Sequence, residues 1–238
     1  TFNYAELNNS SSINESIKAA MLKLPLSFIE NRGQSPEDVK FMVKTASQTV
    51  FFTPDKIIFR LSSGNNSSVV RMSFEDSRDR LITGEDQLPG KANFFMGNDS
   101  SKWFNNISTF GTVRYKDLYP GVDLVFNGKE GYLKHELILC PGADLSQIVL
   151  AYSGQDDLSL AKDGSLLIRT TFGNMTDSAP DCYQEINGSR VKIEGRYQLI
   201  KESRIGFEIG RYDKRYPLVI DPALIFSTYL GGSDYDNG

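Results

Sequence analysis

The stretch Leu133-Lys134-His135-Glu136-Leu137-Ile138-Leu139 decides the fold class. Leu133, His135, Leu137 and Leu139 fall on one side of an extended chain, with Lys134, Glu136 and Ile138 on the other. Side chains of a strand alternate between two faces, so a period of two marks a half-buried β-strand. The same period recurs on both sides of it. Upstream, Val70, Met72 and Phe74 alternate with Val69, Arg71 and Ser73, and the β-rich runs 50–53 and 57–61 flank a Pro54-Asp55 turn. Downstream, 158–160 and 166–170 flank Lys162-Asp163-Gly164, a hairpin signal. Asn187-Gly188 predicts a second hairpin joining 182–186 to 189–200, where Val191, Ile193, Tyr197 and Leu199 alternate with Lys192, Glu194, Arg196 and Gln198. Runs at 205–209 and 218–220 add two more strands.

Short strands with turn signals every 8–12 residues predict an all-β, antiparallel fold, a β-sandwich over 25–222. The Gly- and Asn-rich segment from Pro89 to Trp103 reads as a join between two sandwich lobes, 25–90 and 110–222, with one large sandwich as the alternative. Parallel α/β folds would need repeated helical stretches between strands, and the sequence has none. A single helix is expected at the N-terminus, after an Asn/Ser-rich tail. Ser12 and Glu15 form a capping box, Ile13, Ile17, Ala20, Met21 and Leu24 recur at helical spacing, and Pro25 ends the pattern.

The chain has 238 residues, of which 39% are hydrophobic and 24% charged, enough for a sizeable core and too apolar for long-range disorder. No apolar run approaches the roughly 18 residues that span a bilayer, so no membrane insertion is expected. The net charge is −4, with no block of Lys and Arg, which argues against nucleic acid or an anionic membrane as partner. The start at Thr1 and the turn-rich end, Leu230 to Gly238, read as those of a piece of a longer protein. Two cysteines, Cys140 and Cys182, are too few for a disulfide scaffold or a cysteine-built zinc site. They are either one disulfide of an exported protein or two buried thiols.

Asparagine gives the compartment signal. Asn-x-Ser/Thr occurs at Asn8, Asn9, Asn14, Asn65, Asn66, Asn98, Asn106, Asn174 and Asn187. Chance predicts about two such triplets for this composition. The excess predicts an exported glycoprotein, with Asn66, Asn98, Asn106, Asn174 and Asn187 as candidate acceptors inside the domain.

Catalytic signals are sparse. The lone histidine, His135, would have to serve any Ser-His-Asp or Cys-His mechanism, yet its place between Leu133 and Leu137 reads as interior. One histidine cannot build a His-rich metal site. Asp234-Tyr-Asp236-Asn-Gly238 is similar to the start of a calcium loop, with its glycine one place early. Asp123, Glu136, Asp156 and Asp157 lie on or near strands, but nothing singles out a pair for glycoside hydrolysis. Gly97 to Lys102 lacks the ending of a phosphate loop. Trp103 and Phe104, with Phe94 and Phe95, form an aromatic cluster that reads as either packing or a sugar-stacking platform on Trp103. In Tyr115 to Asp123, Pro120-Gly121 predicts a turn launching a strand at Val122, held by its carboxylates and tyrosines.

Several motifs carry a resemblance. They are Leu24-Pro-Leu-Ser-Phe-Ile-Glu-Asn-Arg-Gly-Gln34, Phe51-Phe52-Thr53, Leu88-Pro-Gly90 with Asn93-Phe-Phe-Met-Gly-Asn98, and Lys102-Trp103. Tyr115 to Asp123, Pro141-Gly-Ala-Asp144 and Pro217-Leu-Val-Ile-Asp-Pro222 continue the series. In this order, over about 24–238, they resemble the uncharacterised domain that precedes SBBP-type β-propeller repeats in secreted and cell-surface proteins of archaea and bacteria. Ile225-Phe-Ser-Thr-Tyr-Leu-Gly-Gly-Ser233 resembles the opening of the first repeat, so 223–238 is expected to begin a propeller. The resemblance implies an extracellular, multi-domain setting, and it carries over no catalytic residue or cofactor. The expected role is a non-catalytic cell-surface module, structural or adhesive, that presents the downstream propeller and contacts envelope glycan or protein. The alternatives are a carbohydrate-binding module built on Trp103 and a polysaccharide-acting hydrolase.

Overall fold

The structure is a computed structural model that describes residues 26–227, apart from 46–47, 78–80, 96 and 129–131. The helix expected over 12–24, the acceptors Asn8, Asn9 and Asn14, and the Asp234 to Gly238 motif lie outside the described residues.

All the strand pairings are antiparallel, and hairpins generate most of them. A meander runs through β1 (Phe28–Glu30), β2 (Phe41–Lys44), β3 (Gln48–Phe52), β4 (Lys56–Ser63) and β5 (Asn66–Phe74). A second runs through β6 (Ile82–Phe94), β7 (Phe104–Tyr119), β8 (Val122–Asn127) and β9 (Leu133–Leu139). The two meanders are hydrogen-bonded to each other, with Phe28 of β1 opposite Phe110 of β7. β10 (Leu150–Ser153) pairs with β5 and with β17 (Arg204–Ile209), and β16 (Gly195–Lys201) follows as the next strand beside β17.

Beyond β9 the sheet forks. One branch is β18 (Leu218–Asp221), β14 (Asp181–Ile186) and β15 (Ser189–Ile193). The other is β19 (Ala223–Ser227), β13 (Gly173–Asp177), β12 (Leu166–Thr170) and β11 (Asp157–Leu160). The product is one large, nearly closed, barrel-like sheet. The all-β, antiparallel expectation holds, and the β1–β7 and β5–β10 pairs carry one ladder between the segments expected as lobes. A curled sheet satisfies edge backbone groups that stacked sheets would leave open.

Edge-to-face aromatic rings fill the interior. Phe28 meets Phe52 at 5.3 Å, Phe52 meets Phe126 at 5.1 Å, and Tyr115 meets both Phe126 (6.2 Å) and Phe74 (5.5 Å). Each such pair adds about 0.5–1.5 kcal/mol beyond the area it buries. Two tyrosines of β7 also tie its end to opposing segments. The Tyr115 hydroxyl donates to the Thr53 carbonyl and the Tyr119 hydroxyl to the Val149 carbonyl, both at 3.0 Å. The Pro120-Gly121 turn is held by carboxylates: Asp117 accepts from the Gly121 N–H (2.8 Å) and Asp123 from the Asp117 N–H (2.7 Å). The tyrosines expected to brace that turn brace the barrel instead.

The row Leu133, His135, Leu137, Leu139 is buried as its alternation predicts, and the hairpins at Asp163-Gly164 and Asn187-Gly188 form. Two expectations need correction. The run 189–200 is not one strand; it breaks at Glu194, so that β15 pairs with β14 while β16 pairs with β17. The break brings Gly195 against the core, where a Cβ would stand 2.3 Å from Cys182 Sγ. The Pro89 to Trp103 segment is not wholly a linker, since Pro89 to Phe94 belong to β6. Pro89 is tolerated there because the β6–β7 register shifts between Gln87 and Lys91. Among the described residues no helix is long and apolar enough to cross a membrane.

Candidate functional site

The most chemically distinctive place in the barrel is a buried histidine–carboxylate pair. His135 on β9 is 1% exposed and Asp177 on β13 is 0% exposed. β19 lies between these strands, with Leu224 opposite both Leu133 and Asp177, and so sets them side by side. His135 Nε2 stands 2.9 Å from Asp177 Oδ2 and 3.2 Å from Oδ1. Phe126 stacks on the imidazole at 5.8 Å and 18°. Tyr152 donates its hydroxyl to Met72 Sδ at 3.2 Å. Burial, reinforced by the negative charge of Asp177, raises the pKa values of Tyr152 and Tyr197 well above the usual phenol range. Both hydroxyls therefore stay protonated near this carboxylate.

A histidine oriented by a carboxylate is two thirds of a nucleophile-activating triad. Among the described residues no hydroxyl or thiol hydrogen-bonds to His135 Nδ1, and the pair is sealed from solvent. Its evident effect is on stability, because each buried polar group would be costly to leave without its hydrogen-bond partner.

The four carboxylates considered from the sequence do not converge. Asp123 accepts from Arg114 (3.1 Å), and Glu136 accepts from the Asn127 amide (3.1 Å). Asp156 accepts from the Thr171 hydroxyl (2.9 Å), while Asp157 accepts from Arg169 (3.0 Å) and Ser159 (3.0 Å). Asp156 and Asp157 are adjacent at the start of β11, far along the sheet from β8 and β9. Among the described residues no three His, Cys, Asp or Glu side chains group as metal ligands would.

Trp103 lies at the mouth of the β6–β7 hairpin beside a surface groove of about 390 Å³. Arg32, Phe104, Asn105, Asn106 and Ile107 complete much of its wall. The indole is held in place: Nε1 donates to the Gly97 carbonyl (3.1 Å), and Phe95 meets the ring edge-on at 5.1 Å and 82°. With 37% of Trp103 and 63% of Phe95 exposed, this is a rigid aromatic surface open to solvent. Of the candidate acceptors, Asn66, Asn98, Asn106 and Asn187 are exposed, whereas Asn174 is half-buried on β13 opposite Arg169 and Ser227.

Cys140 and Cys182 are free thiols, so the disulfide reading gives way to the alternative of unpaired cysteines. Only one of the two is buried. Cys182 packs beside Gly195, and burial pushes its thiol up to about 12, aided by the charges of Asp181 and Asp221. Cys140 is exposed and follows β9. Thiolate is the reactive form. Labelling the native protein at pH 8 with a maleimide should therefore modify Cys140 within minutes and Cys182 only after denaturation. Equal labelling of both in the native state would contradict this packing.

The sequence reading did not identify Asp177, Tyr152 or Tyr197 as neighbours of His135. One signal was available: Gly173, Met175 and Asp177 fall on one face at a period of two, which places a carboxylate on a buried row.

A family model for a domain of unknown function, DUF7948, matches residues 28–223. No curated protein and no solved structure matches the chain.

Proposed function

We propose, from the premise that the chain belongs to the DUF7948 family, that it is a non-catalytic module of an exported, cell-surface protein. Its role is structural or adhesive, and it presents a downstream β-propeller of the same chain. The observation that carries this reading is the placement of His135 and Asp177. The chain's one histidine pairs with Asp177 inside the barrel at 1% and 0% exposure, which supports a role in bracing strands. The exposed candidate acceptors on turns and strand ends support an extracellular setting.

Two measurements test the reading. The purified domain should turn over nothing on a broad glycan and peptide panel; turnover abolished by replacing an acidic pair would overturn it. Protein from its native source should exceed its polypeptide mass by the mass of attached sugar, and agreement with the bare mass would remove the support for export.

A second reading, carbohydrate binding, is favoured by the fixed and exposed indole in the Trp103 groove. On a glycan array, binding lost in Trp103→Ala would support it. Absent binding, or binding indifferent to that substitution, would end it.

A further inference from the structure

We propose that the groove beside Trp103 seats a sugar carried by Asn106 of the same chain, so that this hairpin is built around its own modification. The proposal rests on the export reading above and goes beyond it by assigning one acceptor and the surface that receives its glycan.

The local geometry singles out Asn106. Between the pairs Ala92–Ile107 and Phe94–Phe104 the β6–β7 ladder loses register, and Asn105 and Asn106 together oppose Asn93. Asn106 takes a φ of +61°, a left-handed conformation that asparagine tolerates better than most residues. Its backbone N–H donates to Asn93 Oδ1 at 2.8 Å, which pins the bulge. Among the described residues its own side-chain amide makes no hydrogen bond, although the residue lines the groove. By contrast, the Asn31 amide donates to Ser35, Pro36 and Val39 carbonyls, and the Asn127 amide donates to Glu136. Asn106-Ile107-Ser108 is also an acceptor triplet.

The groove offers what a first sugar ring needs. One face of a pyranose is a plane of C–H groups that packs on an aromatic surface, while its hydroxyls seek polar partners. Trp103, held by Gly97 and Phe95, lines the groove together with the polar side chains of Arg32 and Asn105. The volume, about 390 Å³, falls within the size range of small-molecule sites. A sugar tethered at Asn106 loses little further freedom on docking, so even a modest stacking contact holds it. Asn98 and Asn187 are exposed on turns and do not line this groove.

The attachment uses a lipid-linked, phosphate-activated sugar and the host's transferase. Asn106 Nδ2 attacks the anomeric carbon, the N–C bond forms, and the C–O bond to phosphate breaks. The lipid phosphate leaves with its electron pair, and the amide gives one proton to the transferase's base. In the fold, Ser108 Oγ accepts from Gln87 (3.4 Å) and Lys91 (3.3 Å), both at the surface.

Trp103 is the only tryptophan among these 238 residues, so in this chain its fluorescence reports the groove directly. The experiment uses this 238-residue chain expressed for export in its native host, with peptide mapping by mass spectrometry and acrylamide quenching of Trp103. Asn106→Asp, which removes the acceptor nitrogen but suits the left-handed backbone, is compared with Asn98→Gln. A sugar is expected on Asn106, with quenching at least about twofold weaker than in Asn106→Asp and unchanged in Asn98→Gln. The proposal is overturned if Asn106 carries sugar but Asn106→Asp is quenched equally. It is also overturned if Asn98 or Asn187 is modified and Asn106 is not, an outcome that leaves the export reading standing. A chain bare at every acceptor would remove both.

Discussion

Asp177→Ala is expected to destabilise the domain by about 3–5 kcal/mol, the usual cost of stranding one member of a buried pair. For a domain of this size that lowers Tm by roughly 6–20 °C. The loss comes from His135, left at 1% exposure with no partner for Nε2. A second arm separates the pair's chemistry from simple cavity formation. Replacing both residues, as His135→Leu with Asp177→Leu, removes the unpaired group and should recover most of the stability. Denaturant unfolding measures both. A double variant no better than Asp177→Ala would mean that the site matters for its shape alone.

Gly154→Ala is the second large effect. Gly154 follows β10 at a φ of +88°, and a Cβ there would lie 2.2 Å from the Val69 carbonyl oxygen on β5. The left-handed backbone costs about 1–2 kcal/mol for a non-glycine residue. The clash adds about 1–3 kcal/mol and falls on backbone that cannot rotate away. A total near 3 kcal/mol is expected, with the β5–β10 pairing weakened first. Gly142→Ala is the control: its φ is +79°, but nothing lies within 4 Å of the added atom. Equal losses in the two variants would show that the approach to Val69 is immaterial.

The strands were legible where one face is core and the other is not. Leu133 to Leu139 alternates cleanly, and Asp163-Gly164 and Asn187-Gly188 mark their hairpins because left-handed turn residues are few. Closure of the sheet was not legible. It depends on β1, whose three residues are too few to show a period, and on β6, where exposed polar residues and Pro89 hide a strand. The His135–Asp177 pair was half legible. The histidine's buried row could be read, but its partner is 42 residues away and is placed only by β19 between them. Trp103 could be read as an exposed aromatic candidate; the register shift that brings Asn106 beside it could not.

The wiring of the sheet also sets when the protein can fold. β5 waits for β10, β10 for β17, and β9 for β19, where Leu133 meets Leu224. Contacts this distant along the chain place folding in the slow, millisecond-to-second regime of all-β topologies. A ribosome must deliver the segment around Leu224 before the last wall can close. Until then the nascent chain carries unsatisfied strand edges and depends on whatever shields them during synthesis.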